Sequence, residues 1–159
     1  MKKMEIKGLL LDPISNTPVV VLKDAEEKFF LPIWIGVFEA NAIALKIENV
    51  STARPLTHDL VFHLLEDLKA RIDKIVITDL RDNTFYARIF ISHLGEEIEV
   101  DSRPSDALAL ALRFDAEIFV EDEVLEKSRK IEVEDPRNPD RLKQWLEDLD
   151  PEELGKYKM

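Results

Sequence analysis

The chain has 159 residues, 45% of them hydrophobic and 35% charged, which suits one domain, or two small units sharing a core, without covalent staples. Cysteine is absent, which excludes disulfides, thiolate metal sites and cysteine nucleophiles. The net charge of −11 speaks against a broad electrostatic grip on nucleic acid, because phosphate neutralisation needs clustered Lys and Arg.

The chain opens with "MKKMEIKGLLLDP", whose apolar run is too short for a signal peptide or a membrane span. A soluble cytoplasmic protein is expected. The high charge and scarce glycine are compatible with a thermophilic source. "GLLL" and "PVVVLKD" read as strands, joined by a reversal at "DPISNT", where Asp, Pro and Asn favour a turn. "KFFLPIWI" supplies a third strand, and "EANAIALKI" (39–47) an Ala-rich helix.

Next comes "THDLVFHLLEDLKARI" (57–72), an amphipathic helix in which Leu60, Leu64 and Leu68 recur every four residues, with Val61 and Leu65 beside them. "IVIT", "FYARIFIS" and "EEIEVD" are three more strands. They lead to "SRPSDALALALRF" (102–114), whose period-two alternation imitates a strand. Ala and Leu are strong helix formers, however, Pro104 suits a first turn, and Asp106 sits at the positive end of the helix dipole. The segment therefore reads as a buried helix.

Sliding the chain on itself by 67 aligns residues 4–47 with 71–114. The alignment shares Asp12/Asp79, Asn16/Asn83, Thr17/Thr84, three alanines and a leucine, and it places Glu39 over Asp106 and Lys46 over Arg113. The expected fold is α+β: internally duplicated β-β-β-α units with mainly antiparallel strands around buried Ala/Leu-rich helices. "EIFVEDEVLEKS" adds a strand and a short helix. Residues 115–159 carry 15 acidic and 8 basic residues, so the acidity is concentrated there and a basic rim on the body remains open. An acidic helical tail (134–159) is expected, with Asp135 or Asn138 as cap and Leu142, Trp145, Leu146 and Leu149 as its apolar stripe.

No GxGxxG, P-loop or HExxH pattern is present. The polar residues that stand out flank the helix starts: Glu39; Arg54, Thr57, His58 and Asp59; and Asp101, Arg103, Ser105 and Asp106. Carboxylates so placed can bind a divalent cation, and a histidine can move a proton. Arginines can hold phosphate. The same residues can also serve structure: Asp59 and Asp106 as dipole partners or caps, Arg54 and Arg103 in ion pairs with Asp59 and Asp101. His63 reads as structural and His93 as a turn residue. Trp34, Phe38 and the buried helices suggest more apolar surface than one small domain covers, so a homodimer is expected.

At "LPIWIGVFEANAIAL", "RPLTHDL", "TFYARI" and "DSRPSDALALALR" the sequence resembles the bifunctional nuclease family, over residues 4–125. The domain assignment is accordingly 1–133, followed by the tail. The resemblance implies hydrolysis of phosphodiester bonds in DNA or RNA, with Mg²⁺ or Mn²⁺ assistance. Under it, His58, Asp59, Asp101 and Asp106 are the catalytic candidates and Arg54, Thr57, Arg103 and Ser105 the substrate-binding ones. Glu39, Asp101 and Asp106 are the metal candidates. The alternative is a non-catalytic homodimeric interaction or regulatory module whose polar cluster is structural or binds an anion.

Overall fold

The computed structural model describes residues 1–128, 131 and 132; the expected tail helix lies outside them. Strands β1 (Lys2–Leu11), β2 (Pro18–Asp24) and β3 (Phe29–Trp34) lead to helix α1 (Val37–Ile47) and then helix α2 (Thr57–Asp67). Strands β4 (Ala70–Arg81), β5 (Thr84–His93) and β6 (Glu96–Ser102) lead to helix α3 (Pro104–Phe114). Strand β7 (Glu117–Val120), helix α4 (Asp122–Lys127) and the short β8 (Ile131–Glu132) follow. The order β-β-β-α thus occurs twice, and α3 begins and ends 67 residues after α1. Asn16 (φ 55°) and Asn83 (φ 59°) take the left-handed conformation in the corresponding turns, which asparagine tolerates better than most side chains.

The eight strands of the described residues form one sheet in the order β6-β5-β4-β7-β1-β2-β3-β8. Each β-β-β run is an antiparallel meander, and β7 joins them, antiparallel to β1 and parallel to β4. The β1–β2 reversal is held by Asp12, fully buried, whose Oδ1 accepts the Ile14 N–H at 2.9 Å while its Oδ2 accepts the Trp34 indole N–H at 2.8 Å. A buried carboxylate must be paired in this way. Trp34 is therefore a core residue and adds nothing to a surface for a partner. Strand β6 leaves residues 96–101 exposed, and its glutamates and Asp101 charge the edge of the sheet against further strand pairing.

Helix α3 is almost wholly buried, with Ala107, Leu108, Ala109, Leu110 and Ala111 in the core beside Ile43, Ile75, Ile77 and Ala87. Its alanines leave room for α1 and α2, both of which pack against it. Helix α2 differs from the sequence expectation. Val61, Phe62 and Leu65 lean on the core, and the Phe62 ring lies 4.7 Å from Phe114. The every-fourth-residue stripe points outward instead: Leu60 and Leu64 are 53% exposed and Leu68 is 64% exposed. Among the described residues no helix is long and apolar enough to cross a membrane.

Candidate active site

Three helix first turns meet at one cluster. Arg103, the residue before α3, donates from Nε to Asp106 Oδ2 at 2.9 Å and from Nη2 to Glu39 Oε1 at 2.6 Å, and Nη2 also lies 2.8 Å from Asp106 Oδ2 in the ion pair. Glu39 lies in the first turn of α1 and Asp106 in that of α3. His58, in the first turn of α2, brings Nε2 to 2.9 Å from Asp106 Oδ1. The result is a continuous chain, Glu39–Arg103–Asp106–His58. Its two carboxylates are the pair that the 67-residue offset relates.

The chain is buried at its ends and open in the middle. The side chains of Glu39 and His58 are each 14% exposed, whereas Arg103 is 51% exposed. Hydrogen bonds from Arg103 to Asp106 first, then to Glu39, raise the guanidinium pKa, outweighing its partial burial. Arg103 therefore stays charged, a half-exposed guanidinium held between two carboxylates. Its Nη1 donors have no partner among the described residues. Gly36 makes the arrangement possible, because a Cβ there would stand 2.2 Å from Glu39 Oε2. Neither α1 nor α3 has a side-chain cap on its first turn, and α3 begins with Pro104, which has no N–H to satisfy.

Asp59 belongs to a second, structural pair. Its Oδ2 accepts the Leu56 N–H at 3.0 Å and its Oδ1 accepts Arg113 Nε at 2.8 Å. Burial pushes the Asp59 pKa up, but the Leu56 N–H and the Arg113 guanidinium outweigh it and hold the carboxyl below its usual range. Arg113 is only 6% exposed and also donates to Ala109 O at 2.9 Å and Ala42 O at 3.3 Å, tying the three helices together. The pair lines a hollow of about 340 Å³ that also includes Lys46, Ser51, Thr52 and His63. None of the cluster's four residues lines it.

The sequence candidates thus divide. Glu39, His58, Arg103 and Asp106 converge. The pairs Arg103–Asp101 and Arg54–Asp59 anticipated from proximity do not form, since Arg103 bonds Asp106 and Glu39 while Asp59 bonds Arg113. Asp101 lies exposed on β6, opposite Arg88. Arg54 and Thr57 are exposed near the start of α2. Ser105 is fully buried and its Oγ has no hydrogen-bond partner, so it offers nothing to a substrate. His93 ends β5 just before the left-handed Leu94-Gly95 turn. Arg113 was missed as a site neighbour; the only sequence signal for it was its alignment with Lys46.

A divalent cation does not fit this donor set as arranged. Both Asp106 oxygens and one Glu39 oxygen already accept N–H bonds, and a guanidinium occupies the midpoint that a cation would need. Among the described residues no three His, Asp or Glu side chains are grouped to hold a metal ion.

Comparison with known proteins adds independent information. The family model of the bifunctional nuclease domain matches residues 20–133, which contain every residue of the cluster. An uncharacterised protein of Mycobacterium tuberculosis is 41% identical over 125 residues, covering 79% of this chain and 74% of that protein. Bifunctional nuclease 1 of Arabidopsis thaliana is 27% identical over 111 residues, 67% of this chain and 34% of its own. Bifunctional nuclease 2 of Oryza sativa subsp. japonica is 29% identical over 112 residues, with the same two coverages, 67% and 34%. The match thus takes in about a third of each of these plant proteins.

Proposed function

Because the chain belongs to the bifunctional nuclease family, we propose that it hydrolyses phosphodiester bonds in DNA or RNA at the Glu39–Arg103–Asp106–His58 chain. The observation that carries this reading is the carboxylate-backed histidine beside a half-exposed arginine. With Nε2 protonated toward Asp106, the neutral imidazole has its lone pair on Nδ1. His58 takes a proton from the attacking water there, and Asp106 stabilises the imidazolium that forms. The free Nη1 donors of Arg103 bind the phosphate and stabilise the charge that builds on it. The water oxygen bonds to phosphorus as the scissile P–O bond breaks, the leaving oxygen takes a proton from solvent and His58 returns its proton to solvent, giving a phosphate monoester and a free hydroxyl. No step is routed through a metal ion, because the residues present do not leave room for one.

Phe38 extends the reading to single strands. It precedes Glu39 and is 87% exposed, a position from which its ring offers a stacking surface to an unpaired base. The Arg103 contact and one stacked base form a narrow grip, which agrees with an acidic chain that cannot hold a long phosphate backbone.

A second reading has one observation in its favour: Glu39, Asp106 and Asp59 are each already paired with an arginine, as in a structural network or an anion-binding module without catalysis. Cleavage of single-stranded DNA and RNA by purified protein separates the two. Loss of cleavage in His58→Asn and Asp106→Asn at unchanged melting temperature supports the nuclease. Cleavage that persists in both variants comes from a contaminant.

A further inference from the structure

Helix α2 is apolar on two sides, and among the described residues only one packs against the rest of the fold. Val61, Phe62 and Leu65 pack inward, while Leu56, Leu60, Leu64 and Leu68 form an exposed ridge of spacing four, 38%, 53%, 53% and 64% exposed. No residue of α2 is fully buried. A ridge of this kind can seat against another helix, and the question is which one.

We propose that its occupant is the same ridge of a second copy, running antiparallel across a twofold axis. The ridge is symmetric about residue 62, so an antiparallel pairing sets Leu60 against Leu64 and Leu56 against Leu68, each contact occurring twice. The charges carry the same symmetry. Helix α2 ends on Glu66 and Asp67, with no basic residue in its last turn. Carboxylates there oppose the helix's own dipole. Across the twofold, Asp67 falls beside Thr57 of the second copy, at the helix N-terminus, where a negative charge is favourable. A parallel pairing would instead stack the acidic ends on each other. The arrangement thus explains both the exposed leucines and an unfavourable pair of carboxylates.

A helix of this length spans about 16 Å, and the face it buries falls well below the roughly 1,200 Å² of durable interfaces. The dimer is therefore a weak one that exchanges with monomer. Sedimentation of the full chain is expected to show a mass that rises with concentration. Leu60→Glu with Leu64→Glu should hold it at the monomer mass, with an unchanged circular dichroism spectrum because both side chains are exposed. Asp67→Lys should weaken association about 3- to 30-fold, since two dipole contacts are reversed in sign, while leaving the monomer equally or more heat-stable. The chain has no cysteine, so introduced thiols report orientation. A mixture of Leu60→Cys and Leu64→Cys chains should form disulfides between the two variants faster than either forms them with itself. A chain that stays monomeric up to about 1 mM overturns the proposal, as does a dimer that the double glutamate variant leaves intact. Faster self-coupling of each cysteine variant overturns the antiparallel arrangement.

Discussion

Arg103 reaches Glu39 across 64 residues of sequence, Nη2 to Oε1 at 2.6 Å, and so locks the first turn of α1 to the start of α3. The contact depends on a glycine three residues before the glutamate. At Gly36 the backbone is extended, with φ −72°, so alanine is conformationally acceptable, yet its Cβ would meet the Glu39 carboxylate at 2.2 Å. The end of a flexible side chain can move away cheaply. Gly36→Ala is therefore expected to fold and to release Glu39 from Arg103, lowering cleavage about tenfold. In a Glu39→Ala background it should change cleavage no further. An undiminished effect in that background would show that Gly36 acts by another route.

Arg103 itself is expected to matter far more for cleavage than for folding. The side chain is half exposed, so solvent screening keeps its ion pairs to under about 1 kcal/mol of stability. Facing a phosphate, the same guanidinium acts on developing charge, where losing one donor typically costs about 10²-fold or more in rate. Arg103→Lys keeps the charge but not the fork, and should recover only part of the loss. Equal loss of melting temperature and rate in Arg103→Ala would instead mark a purely structural arginine.

His58 and Asp106 act as one unit in the proposed mechanism, so their substitutions should not add. His58→Asn alone is expected to lower cleavage by about 10²- to 10⁴-fold. Adding Asp106→Asn should lower it little further. Single-turnover cleavage of a labelled oligonucleotide measures all three. Independent, multiplicative losses would separate the two residues and leave Asp106 as a partner of Arg103 alone.

The strand–turn–helix order was legible because each element carries a local signal. Asn16 and Asn83 mark the two reversals, and Pro104 marks the start of α3 against the misleading Ala/Leu alternation. What local signals could not reveal is which partner a charged residue takes. Asp59 was matched to nearby Arg54, but its partner is Arg113, 54 residues away on α3. The same holds for α2, where two apolar faces compete. Docking of Phe62 against Phe114 selects the inner one, and no periodicity within α2 can announce that. Glu39, Arg103, His58 and Asp106 were all singled out as polar residues at helix starts, yet their convergence is a property of the sheet topology.

Ser105 provides a test that concerns folding alone. It is fully buried in the first turn of α3, and its Oγ lacks a hydrogen-bond partner. An unsatisfied buried hydroxyl costs about 1–3 kcal/mol, a penalty that removing the oxygen relieves. Ser105→Ala is thus expected to raise stability by about 1 kcal/mol in denaturant titration, with cleavage unchanged. A destabilised variant would reveal a partner for this hydroxyl in solution.

Acid stability should depend on Asp12. Its carboxylate is fully buried, and burial pushes the pKa up. Hydrogen bonds from the Trp34 indole, Ile14 and Ser15 outweigh that and hold it below the ordinary value of 3.8. The folded chain therefore binds this proton less readily than the unfolded chain. The associated stabilisation is fully present above the unfolded value and is lost as pH falls through the folded one. Asp59 and Asp79 are shifted in the same direction and add to the effect. Stability should thus be flat near neutrality and fall steeply below about pH 4. Asp12→Asn keeps an acceptor for the indole but loses the charge, so it is expected to cost about 1–2 kcal/mol at neutral pH. It should also show a shallower decline in acid. Trp34 fluorescence in a Trp145→Phe background follows both curves, and strictly parallel curves would show that Asp12 is not the group that titrates.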